Sequence, residues 1–129
     1  MFWPQIRALA ALPPVAVAQV TNAEAIDAIR RLDAPRMAQY LRRGWNPSTE
    51  LDDQRNEALH KAVEICEWDP AHDQQKLVVF VRTLVDGGAR MTANVWGDTP
   101  YDLAKAERFC GPNHPATQIL ALMFAPSGR

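Results

Sequence analysis

Two stretches of this chain carry one pattern. Asn56-Glu57-Ala58-Leu59-His60-Lys61-Ala62 aligns by residue type with Asp98-Thr99-Pro100-Tyr101-Asp102-Leu103-Ala104, placing His60 and Asp102 42 residues apart. A tandem repeat constrains the fold more than composition does. One supersecondary unit cannot bury its apolar face alone, so repeated units stack, and about three are needed for stability. The repeat also shows in its endings. Met37-Ala38-Gln39-Tyr40-Leu41-Arg42-Arg43-Gly44-Trp45 and Leu77–Ala89 both place a Leu three or four residues before a Gly. Glycine there ends a helix in the left-handed conformation without a Cβ clash.

Apolar spacings of three and four then give an all-α map of three helix pairs. The first pair is Ala23–Leu32, with Ala25, Ile26 and Ile29 inward and Asn22 as N-cap, and Pro35–Arg43, with Met37, Tyr40 and Leu41 inward. The second is Glu57–Glu67 and Gln74–Asp86. The third is Thr99–Phe109 and Pro115–Phe124, the last helix capped by Asn113 or His114. Ten prolines against six glycines suit short helices with tight connections, since proline gathers at first turns.

The totals exclude more than they assert. A chain of 129 residues is one ordinary domain, and 47% hydrophobic content is too apolar for disorder. No apolar run reaches the roughly 18–20 residues of a membrane span. With 14 basic against 15 acidic residues, no nucleic-acid partner is expected. Residues 1–20 are an N-terminal arm or, alternatively, a signal peptide: Arg7, an apolar stretch from Ala8 to Ala18, and a small-x-small site at Ala16-Val17-Ala18. The arm implies a cytoplasmic protein and the signal peptide a periplasmic or secreted one. Cys66 and Cys110 form a disulfide only in the exported case.

Thr99-Pro100 with Leu103-Ala104, Leu59-His60-Lys61-Ala62, and Leu84-Val85-Asp86-Gly87-Gly88-Ala89 together resemble the ankyrin repeat, which opens Thr-Pro-Leu-His-x-Ala and closes Leu-Leu-x-x-Gly-Ala. The resemblance implies a solenoid of about three helix-turn-helix repeats (about 21–46, 56–91 and 98–125, within a domain of 21–129) with short projecting loops. Met91–Asp98 falls where the family places its hairpin loop. Glu57-Ala58 stands in place of Thr-Pro, Trp45 in place of a small residue, and 42 residues in place of a period of about 33. The surplus is placed between the helices of the middle repeat, around Ile65 to Gln75. His60, Gly88, Thr99 and Pro100 are the structural motif residues, His60 tying neighbouring repeats through both ring nitrogens.

The family resemblance implies non-catalytic protein binding across loop tips and first helices, by a chain that is a monomer when free and needs no cofactor. The partner-binding residues expected are Trp45, Glu64, Glu67, Trp68, Asp69, Asp73, Val95, Trp96 and Asp98. Trp68 and Trp96 would be the aromatic anchors, with the acidic side chains steering a basic partner. Arginine far exceeds lysine, which is confined to Lys61, Lys76 and Lys105, and alanine is abundant; both point to a GC-rich bacterial genome. For a small bacterial protein, the ankyrin resemblance then implies an immunity- or antitoxin-like role beside a toxin or effector. The alternative is a small metal-binding protein or hydrolase using Cys66, His72, Cys110 and His114, which supply two thiolates and two imidazoles in a spacing unlike common structural zinc sites. A second alternative is a structural subunit that self-associates through an apolar edge.

Overall fold

Six helices follow one another in the computed structural model, which describes residues 19–124; no strand occurs among the described residues. Residues 1–18, on which the arm and signal-peptide expectations fall, lie outside the described residues, as do 125–129. The helices are α1 (Asn22–Arg31), α2 (Ala34–Arg42), α3 (Ala58–Trp68), α4 (Gln74–Asp86), α5 (Pro100–Lys105) and α6 (Pro115–Phe124).

Local chemistry sets each boundary. Thr21, rather than Asn22, is the N-cap of α1, and with Glu24 it forms a reciprocal capping box. Leu32 ends α1 in the left-handed region at φ 51°. Asp33 then caps α2 through the Arg36 amide. Asp73 caps α4 through the amides of Gln75 and Lys76. Thr99 caps α5 with Asp102 as its reciprocal partner and Pro100 in the first turn. His114 caps α6, its Nδ1 accepting from the Ala116 amide.

The helices pair in sequence, α1 with α2, α3 with α4 and α5 with α6, and the pairs stack. First helices pack on first helices (α1, α3, α5) and second on second (α2, α4, α6), giving two layers. The middle pair is covered from both sides and carries the heart of the core: Leu59, Ala62, Val63 and Ile65 from α3; Leu77, Phe80, Val81 and Leu84 from α4. End pairs bury one face only, Ala25, Ala28 and Ile29 in α1 and Ala116, Thr117 and Leu120 in α6. Gly87, at the end of α4, lies so close to α2 that a Cβ there would meet Leu41 Cδ1 at 2.6 Å.

One helix is shorter than the spacing predicts. α5 stops at Lys105 instead of continuing to Phe109, because Ala106 turns extended (ψ 140°). The Gly111 amide donates to the carbonyls of Ala104 and Ala106, folding 106–110 into a tight turn. That turn carries Cys110 back to α3, where it is disulfide-bonded to Cys66 with a Cα–Cα distance of 5.0 Å.

Gly88 has φ +96°, and a Cβ there would meet nothing within 4 Å. The cost of Gly88→Ala is therefore backbone conformation and not a clash. We expect the variant to lose about 1–2 kcal/mol in chemical denaturation followed by circular dichroism, with its fold retained.

Candidate functional site

The seam between the second and third repeats is built by the same loop made twice. Asp52 Oδ1 accepts from the amides of Gln54 and Asn56, and Asn94 Oδ1 accepts from those of Trp96 and Asp98, at the same two- and four-residue spacings. Burial raises the pKa of the Asp52 carboxyl, but Lys61 at 2.7 Å and the Asn56 and Gln54 groups outweigh it and hold it at about 2. The copies are then sewn together. The Val95 amide donates to the Gln54 carbonyl, and Asn94 Nδ2 donates to Asn56 Oδ1 at 3.0 Å within the buried seam.

His60 completes the seam and is fully buried. Its Nδ1 accepts from the Glu57 amide at 3.0 Å, so its proton sits on Nε2, which donates to the Asp98 carbonyl at 3.0 Å. Burial pushes its pKa below the ordinary histidine value, partly opposed by the Asp98 carbonyl, and favours the neutral ring this geometry needs. The residue predicted to tie repeats lies in that position.

Beside the seam runs a groove of about 490 Å³ between α3, the 94–98 loop and the α5 turn. Trp68 and Trp96 line it and are 59% and 65% exposed, unusual for large aromatics. Glu64, Glu67, Asp98 and Asp102 face it, against Arg108 as the one basic lining residue among the described residues. Arg108 pairs with Glu67 at 3.7 Å across the repeats, an exposed contact. Burial, with Asp52 and Glu67 nearby, raises the pKa of the half-buried Glu64, and Lys61 partly offsets this. Leu103 and Phe109 supply apolar floor.

The structure thus brings together Glu64, Glu67, Trp68, Trp96 and Asp98 from the expected set. It sends others elsewhere. Trp45 is buried (9% exposed) and belongs to the core, because the Gly44 turn folds its indole beneath the loop instead of outward. Asp73 is occupied as the α4 cap. Asp69 is exposed outside the groove lining, and Val95, 51% exposed, sits next to Trp96 at the loop tip. Gln54, Asp102, Arg108 and Phe109 line the groove without having been expected there; the 42-residue offset already relates Gln54 to Trp96.

A second constellation lies outside the groove. His72 and His114 occupy equivalent places in consecutive repeats, 42 residues apart, with Nε2 atoms 3.0 Å from each other. His72 Nδ1 lies 2.7 Å from the Asp69 carbonyl, which can only accept, so His72 is protonated at Nδ1 and bare at Nε2. His114 accepts at Nδ1 and donates from Nε2 to His72. Burial, and then His72, lower the His114 pKa. Cys66 Sγ lies 3.8 Å from His72 Nε2, and the disulfide to Cys110 closes the cluster.

No protein-family model, curated protein or solved structure matches the chain.

Replacing His60 by Ala opens a cavity and strands the Glu57 amide and Asp98 carbonyl, and is expected to cost about 3 kcal/mol. A pH effect follows from the same ring. The unfolded histidine takes up its proton near pH 6.5 while the folded one resists until lower pH. Stability therefore falls as pH drops below about 6.5, and denaturation at pH 7 and pH 5 should show a smaller loss in His60→Gln than in the parent.

Proposed function

We propose that this chain is a non-catalytic, protein-binding module of ankyrin-repeat type that captures a basic, extended segment of its partner in the groove between the last two repeats. The observation that carries this is the placement of two exposed tryptophans on one groove bearing four carboxylates and one guanidinium. Tryptophan is enriched at binding hot spots, and a cleft of one charge sign steers an oppositely charged partner. The two-layer stack of helix pairs, with its glycine-ended second helices and a histidine joining adjacent repeats, supports the ankyrin assignment. An immunity-like role, in which the groove neutralises a basic surface of a toxin, is consistent with that chemistry.

The Cys66–Cys110 disulfide supports the exported alternative, since such bonds persist in oxidising compartments. Among the described residues no helix is long and apolar enough to cross a membrane. A mature N-terminus at Gln19, read by mass spectrometry of the protein from its own host, is the outcome expected of export; an intact Met1 there would contradict it.

A random peptide library selected on the immobilised protein tests the binding proposal. Arg- and Lys-rich peptides should be enriched, and their binding should weaken with salt. Trp68→Ala and Trp96→Ala should each lower affinity by about 2 kcal/mol, roughly 30-fold. Glu64→Gln with Glu67→Gln should slow association more than it speeds release. Enrichment without charge preference, or affinity unchanged in both tryptophan variants, would overturn the assignment.

A further inference from the structure

The cysteine–histidine cluster is not used by the groove, whose lining contains none of its four members. All four converge on one point between the second and third repeats. Cys66 lies in the last turn of α3, Cys110 in the turn after α5, His72 in the loop before α4, and His114 at the cap of α6. One ligand atom each from Cys66, His72 and His114 lie within 4.8 Å of one another, and Cys110 Sγ is bonded to Cys66 Sγ.

The spacing suits a tetrahedral ion. With zinc bonds of about 2.3 Å to sulfur and about 2.0–2.1 Å to nitrogen, a tetrahedron puts two nitrogens about 3.3 Å apart and a sulfur and nitrogen about 3.6 Å apart. Here the His72 and His114 Nε2 atoms are 3.0 Å apart, and Cys66 Sγ is 3.8 Å from His72 Nε2. His72 is already in ligand form: its Nδ1–H is anchored on the Asp69 carbonyl and its Nε2 lone pair faces the centre. What the bonded form lacks is thiolate, because a disulfide sulfur is a poor ligand and two imidazoles alone complete only half of the shell.

We propose that reduction of the Cys66–Cys110 disulfide converts this cluster into a Cys₂His₂ zinc site, so that the same two repeats are held either by a covalent bond or by a metal ion. An external dithiol supplies the electrons. Its two sulfurs become a disulfide, the Cys66–Cys110 bond breaks, and its two protons pass to the Cys66 and Cys110 sulfurs. Zinc binding then releases both thiol protons. The freed sulfurs separate to about 3.8 Å to occupy two corners of the tetrahedron. At His114 the proton moves from Nε2 to Nδ1, and the hydrogen bond from the Ala116 amide is given up in exchange for the metal bond. That exchange makes the two states alternatives: in the oxidised chain the His114 tautomer that caps α6 is the one that cannot ligate.

Cobalt(II) titration of the full chain tests this, with zinc as competitor. After reduction by a dithiol and its removal under anaerobic conditions, the protein should take up one equivalent of cobalt with thiolate-to-cobalt charge-transfer absorption and tetrahedral visible bands. Zinc should displace the cobalt stoichiometrically. The oxidised protein should show no charge-transfer band and at least 100-fold weaker uptake. His72→Ala with His114→Ala should weaken uptake by the reduced chain about 100-fold. The band on the parent protein reports sulfur ligation directly, with no need for a cysteine variant to fold. If reduction loosens the fold, added zinc should restore its helical circular dichroism. Reduced protein that binds no cobalt, uptake equal in both redox states, or uptake unaffected by the double histidine change would each overturn the proposal.

Discussion

The order of the last two helix pairs depends on one buried imidazole. His60 lies where α3 begins and reaches into the loop that precedes α5, satisfying a backbone donor of its own repeat and a backbone acceptor of the next. Both groups sit in a seam that water does not reach freely, so each would otherwise carry the full cost of desolvation. The apolar faces of α3 and α4 supply most of the burial, which is not directional in itself. The seam of His60, Asn56 and Asn94 is directional, and it selects one register.

That register has consequences at both ends of α3. At its start, the Asx loops at Asp52 and Asn94 stack, and the second projects Trp96 beside the groove. At its end, Trp68 reaches the same groove while Cys66 meets Cys110. The chain needs no separate device to bring the two tryptophans together. The loop-entropy treatment of a cross-link spanning 44 residues gives about 4 kcal/mol of stabilisation for the disulfide, comparable to a large core side chain. The seam and the cross-link therefore reinforce the same interface from opposite ends of one helix.

The charge distribution separates local exposed ion pairs from a cleft richer in carboxylates. Ion pairs such as Arg31–Asp27 and Arg36–Asp33 are local and exposed, and contribute little to stability. In the groove the carboxylates outnumber the cations. Lys61 pairs with Asp52 at 2.7 Å and lies farther from Glu64 at 3.8 Å. Glu67 pairs with Arg108 at 3.7 Å and Asp102 with Lys105 at 3.6 Å, both exposed contacts, so the acidity of the cleft is partly balanced.

Helix content and the pairing of helices were legible in the chain, since apolar spacing and helix-capping chemistry are local properties; the bridging role of His60 was implied only by the ankyrin resemblance. The exposure of Trp68 and Trp96 was not legible, because an indole in or beside a loop can either fold under it or point out. Trp45 shows the limit. It also stands in a loop, but whether a loop indole folds under or points out depends on the neighbouring packing and not on its own position. The early end of α5 belongs to the same class, because the turn at 106–110 is closed by Gly111 and by the bond to Cys66, a partner 44 residues away. Six helices, three pairs and a recurring offset of 42 residues can be read along the chain. That this offset brings His72 against His114 and gathers the acidic residues beside Trp68 and Trp96 into one groove follows from the stacking of the pairs, because contacts between repeats are set by the stacking register and not by any one segment.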